Sequence, residues 1–215
     1  MLERITSAQT GTTHDRVYRA LRAKIMHGEI PPGTALTLRG IARDWSVSMT
    51  PAREAVRRLA AEGALSFSRS GRIATPELSH ERIEELAAIR ALIEPELAAR
   101  ALPRAHLALI ERLSTINLTL RERLVGADGP GYVRGNLEFH RTLYLRAQAP
   151  AMLALVETVW LQAGPTMVAL YAARLGATSV DHHDEILGAL RDGDEPGLRA
   201  AVGQDVAVGL RMLAG

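Results

Sequence analysis

The stretch Val47-Ser48-Met49-Thr50-Pro51-Ala52-Arg53-Glu54-Ala55-Val56-Arg57-Arg58-Leu59 reads as a short turn followed by a helix with two unlike faces. Ala52, Ala55, Val56 and Leu59 recur at spacings of three and four, an apolar stripe that must pack on something. Thr50, Arg53, Arg57 and Arg58 lie off that stripe and give a basic, hydroxyl-bearing face. Ser48 or Thr50 can cap the helix, and Pro51 suits its first turn, where the missing N–H has no helical partner to lose. A cationic helix start aimed outward is what reading a DNA groove requires: backbone amides and arginines meet phosphate, and arginine forks meet guanine edges. An ordinary surface helix with solvated arginines shows the same pattern, so the flanking residues have to decide.

On the N-terminal side, Val17, Leu21 and Ile25 mark a helix over about 14–27, ended by Gly28 and the turn Pro31-Pro32-Gly33. Thr34–Thr37 is a short extended piece, and Leu38, Ile41, Ala42 and Trp45 make a second short helix. On the C-terminal side the helix ends near Glu62-Gly63. Two short extended runs, Ala64–Arg69 and Arg72–Thr75, then flank Ser70-Gly71, a hairpin signal. Helix, strand, helix, turn, helix, hairpin is the order of a winged helix-turn-helix, expected over residues 14–76. Residues 1–13 are polar, Thr-rich and aperiodic, and are expected to form a flexible arm.

With those residues in place, the first third of the chain resembles the DNA-binding domain of the GntR family of bacterial transcription regulators. The matching residues run Ile25-Met26-His27-Gly28-Glu29-Ile30-Pro31-Pro32-Gly33-Thr34-Ala35-Leu36, then Ile41-Ala42, then Val47 to Leu59, then Glu62-Gly63 and Gly71. The resemblance implies a double-stranded DNA operator as partner. It also implies Arg39 early in the second helix, Arg53 in the recognition helix and Gly71 at the wing as DNA contacts. Ser48, Thr50, Arg57 and Arg72 complete the expected operator-facing set. Met49 stands where the family usually has a first recognition arginine, which removes a guanine-reading fork worth about 1–3 kcal/mol of discrimination.

Charge is distributed to match. Residues 1–78 hold 12 Lys+Arg and 7 Asp+Glu, net +5, while residues 79–215 hold 14 and 17, net −3. A basic first third and an acidic remainder suggest one part that meets polyanions and one that does not. The chain of 215 residues has no cysteine, which excludes a disulfide framework, a thiolate metal site and a cysteine nucleophile. No apolar run approaching the roughly 20 residues of a membrane span is read, nor a signal-peptide apolar region, so no membrane partner and a cytoplasmic location are expected.

Past Pro76 the pattern changes to long helices, and residues 77–215 read as an all-α antiparallel bundle. Expected helices run about 80–101 (with Pro95 inside), from Pro103, 131–147, 150–163, 165–175, 180–192 and 195–213, with a loop at Gly126–Gly131 and a break at Gly176–Ser179. The fold class is therefore mainly α, an N-terminal winged helix-turn-helix followed by a helical bundle.

Asn136 and His140 are four apart and share a helix side, His183 opens the next-to-last helix, and Asp205 lies midway along the last. Asn136-Leu137-Glu138-Phe139-His140 and His183-Asp184-Glu185-Ile186-Leu187-Gly188-Ala189-Leu190, with Gly193-Asp194, resemble the effector domain of the FadR branch of the GntR family. That resemblance implies a helical bundle in which one aspartate and three histidines hold a divalent metal that, with a nearby arginine, binds a small carboxylate. Here Asn136 replaces the usual aspartate and Asp205 the usual third histidine, so His140, His183 and Asp205 keep one carboxylate and two imidazoles, a workable set for Zn²⁺, Ni²⁺ or Mn²⁺. Asn136 offers only an amide oxygen, a poorer ligand. A decayed metal site, with both histidines satisfied by hydrogen bonds, is the competing reading.

The segment Leu86-Ala87-Ala88-Ile89-Arg90-Ala91-Leu92-Ile93-Glu94 resembles the first helix of that domain, and the resemblance implies Arg90 as the carboxylate-holding arginine. An internal salt bridge from Arg90 to Glu94, four residues on, fits the same spacing. Two functions follow. One is a homodimeric, effector-controlled transcription regulator, repressor or activator, on a palindromic operator. The alternative is a metal-dependent enzyme tethered to DNA, which lacks a separate general base and leaves the basic domain unexplained.

Overall fold

In the computed structural model of the chain, residues 12–68, 71–174 and 182–211 are described. The N-terminal part holds α1 (Thr13–Met26), β1 (Ala35–Leu36), α2 (Leu38–Asp44), α3 (Met49–Ala61), β2 (Ser66–Phe67) and β3 (Ile73–Ala74). Val17, Leu21 and Ile25 of α1 meet Ala52, Ala55, Val56 and Leu59 of α3, all at most 1% exposed. Each large aliphatic side chain buried there contributes about 1.5–3 kcal/mol, so this two-helix contact fixes which face of α3 is left to solvent. Thr37 caps α2 by accepting from the Gly40 amide at 3.0 Å. Ser48 occupies the capping position of α3 without a side-chain hydrogen bond, so neither Ser48 nor Thr50 is tied down as a cap, and Thr50 and Pro51 lie in the first turn.

The three strands pair antiparallel in the order β1-β3-β2, with Leu36 and Phe67 both opposite Ile73. The β2–β3 hairpin closes through Gly71, whose φ of +77° is a backbone position that favours glycine. Arg69, the end of the expected first run, and Ser70 of the expected Ser70-Gly71 turn lie outside the described residues, as do residues 1–11 of the arm expected over 1–13, whose last residue, Thr13, already belongs to α1.

Among the described residues six α-helices follow: α4 (His80–Ala101), α5 (Leu107–Val125), α6 (Gly129–Tyr144), α7 (Pro150–Arg174), α8 (His182–Asp192) and α9 (Glu195–Arg211). Helix α4 packs along α9 and also meets α6 and α7, while α5 and α8 close the remaining side. Several boundaries differ from the sequence reading. Pro103 sits in a single 3-10 turn, Leu102–Arg104, and α5 begins at Leu107, capped by His106 Nδ1 accepting from the Leu109 amide at 3.3 Å. Helix α6 starts at Gly129, earlier than the expected loop end, because the Asp128 carboxylate caps it through the Gly131 amide at 2.9 Å.

The two helices expected over 150–163 and 165–175 are one helix running through Pro165. A proline there costs a hydrogen bond and crowds the carbonyl four residues back. Val156, Trp160, Leu161 and Ala163 are buried before it, and the packing they secure outweighs that local penalty. The span Pro150–Ala169 is also long and apolar enough to cross a membrane by length and composition, contrary to the expectation that no such run exists, but half of it is buried within the molecule and α7 packs on α1, α4 and α6. The expected break at Gly176–Ser179 lies outside the described residues.

Helix α7 is also where the two parts of the chain meet. A Cβ on Gly164 would lie 2.4 Å from the Ile25 carbonyl oxygen and 2.6 Å from that of Met26. A Cβ on Gly28 (φ +70°) would lie 2.5 Å from Val168 Cγ2 and 2.8 Å from the Gly164 carbonyl oxygen. The end of α1 and the middle of α7 thus touch backbone to backbone. Beside them Gln162 Nε2 donates to the Glu62 carbonyl just past α3, at 2.9 Å.

Candidate functional site

Two sets of residues stand out, one exposed and one buried. On the N-terminal domain Arg39, Ser48, Thr50, Arg53, Arg57, Gly71 and Arg72 are all exposed. Ser48, Thr50, Arg53 and Arg57 belong to the first turns of α3 and the face opposite its buried stripe. Met49 is 38% exposed at the start of the same helix. Arg58 departs from the basic face read from sequence: it turns back to α1, pairing with Asp15 at 2.8 Å and lying over the Tyr18 ring at 3.8 Å from its centroid. The Thr12 hydroxyl and the Arg58 guanidinium hold the Asp15 carboxyl below its ordinary range.

The buried set occupies the bundle interior, where His140 (0% exposed), His183 (3%) and Asp205 (6%) bring ligand atoms within 4.8 Å of one another. His140 comes from α6, His183 from the first turn of α8 and Asp205 from α9. His140 Nε2 is 3.0 Å from Asp205 Oδ2 and its Nδ1 is 3.1 Å from the Tyr144 hydroxyl. Tyr144 donates its own proton to Glu94 Oε2 at 3.0 Å, so its oxygen is left to accept from His140 Nδ1–H. In the neutral imidazole the lone pair then sits on Nε2, facing a carboxylate oxygen. That arrangement calls for a cation between them, a proton or a metal ion.

His183 is oriented by the same logic. Asn117 donates from Nδ2 to Asp184 Oδ1 at 3.0 Å, which turns its amide oxygen toward His183 Nδ1, also at 3.0 Å. The network thereby assigns the proton to Nδ1 and the lone pair to Nε2. Phe139, fully buried, stacks on the His183 ring with centroids 4.1 Å apart. The donor set therefore fits a divalent metal: one carboxylate, two imidazoles, and outer partners that set each tautomer. Asn136 is buried one turn before His140 on α6. His182, the neighbour that a one-residue slip would select, instead pairs with Glu185 at 3.0 Å.

Arg90, 2% exposed, reaches Glu94 with Nε–Oε1 at 2.5 Å and Nη2–Oε2 at 3.4 Å, the internal pair that its four-residue spacing allows. Burial acts to lower the Arg90 pKa, but the Glu94 carboxylate outweighs it and the guanidinium is held charged; Asp205 adds in the same direction. Glu94 also accepts from Trp160 Nε1 at 3.0 Å. Burial, reinforced by Glu94, pushes the Tyr144 phenol well above its ordinary value, keeping it a neutral donor. Sequence reasoning missed Asn117, Tyr144 and Trp160, and quoted Phe139 in the motif before His140 without giving it a role; Tyr144, four residues after His140 on one helix, left a local trace.

The chain thus joins a helix-and-hairpin domain with an exposed arginine-bearing helix to a helical bundle with a buried His/His/Asp set. The family profile described as "Bacterial regulatory proteins, gntR family" matches residues 13–73, and that of the FCD domain matches residues 85–207. The chain belongs to the GntR family of bacterial transcription regulators, in its FadR branch with an FCD domain. It is 28% identical over 195 residues to the HTH-type transcriptional regulator McbR of Escherichia coli K12, covering 86% of this chain and 85% of that protein. It is 30% identical over 139 residues to the gluconate operon transcriptional repressor of Bacillus subtilis, covering 65% of this chain and 56% of that one. In fold it is similar to the solved structure of E. coli McbR/YncC, with a TM-score of 0.85 at 24% identity over 96% of this chain and all of that one. A Rhodococcus sp. RHA1 regulator gives 0.71 at 23% identity, over 94% and 95%. The chain is a DNA-binding transcription regulator and not an enzyme.

Proposed function

We propose that this regulator is a cytoplasmic homodimeric repressor whose hold on a palindromic operator is set by a small carboxylate at a metal-bearing site in the bundle. The reading divides the chain into a DNA-binding unit over 14–76 and an effector and dimerisation unit over 77–215. The observation that carries it is the buried convergence of His140, His183 and Asp205 with both histidine tautomers set by Tyr144 and Asn117. These three residues would hold Zn²⁺, Ni²⁺ or Mn²⁺, and the metal would supply a Lewis-acidic position for a ligand carboxylate. Arg90 is a buried cation in electrostatic reach of Asp205, suited to the same ligand if Glu94 shares it.

Arg39, Arg53, Arg57 and Arg72 would meet phosphate and base edges, with Ser48, Thr50 and the backbone at Gly71 in support. Support for communication between the two parts comes from α7. Its Trp160 donates to Glu94, the hub of the buried network, and four residues on Gly164 abuts the end of α1. A tenfold change in operator affinity needs a coupling of only about 1.4 kcal/mol.

The test is operator binding by fluorescence anisotropy, titrated with small carboxylates before and after metal stripping. The proposal expects at least one acid to weaken binding in the metal-loaded protein and to lose that effect when the metal is removed. A response that survives stripping unchanged would contradict it.

A further inference from the structure

Where the end of α1 lies against the bundle, a cleft of about 340 Å³ opens between the two parts of the chain. His27 reaches it from the N-terminal domain and Arg112, Arg134 and Arg141 from α5 and α6, over a partly apolar floor that includes Leu137 and Trp160. The counter-charge is thin. Glu138 lines the cleft and is 3.8 Å from Arg112, and Glu157 takes Arg141 at 2.8 Å. Arg134 has no carboxylate within ion-pairing distance among the described residues. The uncompensated potential is felt by His27, whose pKa is lowered by burial first and by Arg134 second, with Glu29 opposing.

From this cleft we infer a second ligand site, distinct from the buried His140–His183–Asp205 set, that takes a small oxyanion carrying two negative charges. Arginine forks match the paired oxygens of carboxylate and phosphate alike. The volume suits a compact dicarboxylate or a phosphate ester. The site has a consequence for regulation. Met26 and His27 belong to the segment that Gly164 abuts, so an occupant touches both sides of the seam and binds only while the domains are docked as they are here.

The proposal can be tested without the metal reading. Full-length protein is stripped with EDTA, desalted and titrated calorimetrically with succinate, with inorganic phosphate and with sodium chloride at matched ionic strength. Saturable binding of about one oxyanion per chain is expected, with no matching signal from chloride. Arg134→Ala, at an exposed position, should fold normally by circular dichroism and bind at least about tenfold more weakly, since it loses a charge-assisted fork. Arg134→Lys, which keeps the charge without the fork, should fall between. Binding of succinate alone assigns a dicarboxylate, binding of phosphate alone a phosphate ester, and binding of both a general oxyanion site. Titrations that superimpose for wild type and Arg134→Ala, or heats reproduced by chloride, would overturn the inference whether or not the buried set holds a metal.

Discussion

Arg53 and Arg90 are both helical arginines, yet one stands exposed on α3 above Ala52, Ala55, Val56 and Leu59 while the other is 2% exposed and locked to Glu94 inside the bundle. Around Arg53 the residues that would touch DNA stay in water and contribute little to folding, so the domain can vary them without risking its core. Around Arg90 the polar groups are the core: Glu94 takes Arg90, Tyr144 and Trp160, Tyr144 leads on to His140 and His140 to Asp205, while Asn117 holds His183 beside them. An exposed site separates affinity from stability, whereas a buried polar site ties them together, because each lost partner strands another group away from water.

That contrast is open to attack at its strongest point first. Glu94→Ala leaves Arg90 buried and uncompensated and removes the acceptor of both Tyr144 and Trp160; it should destabilise the protein by about 3–5 kcal/mol in chemical denaturation. A loss below about 1 kcal/mol would mean that the chamber is wet and that burial does not bind these residues together. Arg53→Ala should do the reverse. Operator discrimination should fall by about 1–3 kcal/mol, while the melt should stay within about 0.5 kcal/mol of wild type, as for an ordinary surface change. A change in melting without a change in operator binding would break the comparison from the other side.

A smaller effect sharpens the picture of how α3 is held. Asp15 has its pKa lowered from the ordinary 3.8 by Thr12 and then Arg58. Its contribution is present above that ordinary value and is lost as pH falls through the lower folded-state value. Wild type should therefore lose stability more steeply than Asp15→Asn below about pH 4, a difference readable in acid melts. Parallel acid curves would remove the Asp15–Arg58 tie from the account.

The two regions also differed in how far they could be read from the chain alone. In the N-terminal domain contacts follow local patterns. The stripe from Ala52 to Leu59, Gly28, and the extended runs around Gly71 all carry spacing or turn chemistry, and the elements fall within a residue or two of expectation. Arg58 escaped because its partners Asp15 and Tyr18 lie some forty residues back. In the bundle, the family resemblance of the residues around Asn136, His140 and His183 implied a metal-ligand set, and the structure brings His140, His183 and Asp205 together. The groups that orient them were not legible: Asn117 reaches His183 across 66 positions and Trp160 reaches Glu94 across 66. No local period marks such a pair. The continuity of α7 through Pro165 was hidden for a similar reason, since the packing that overrides the proline comes from α1, α4 and α6.

The most direct test of the proposed metal site is the metal content of protein purified without chelator, with a thermal melt before and after EDTA. The account predicts close to one equivalent of divalent metal and, on stripping, a drop in stability of about 3–4 kcal/mol if the ion is present at 100 to 1,000 times its dissociation constant. His140→Ala and His183→Ala should each abolish the metal. Protein that carries no metal and melts identically with and without EDTA would contradict the account, leaving His140 and Asp205 as a proton-sharing buried pair.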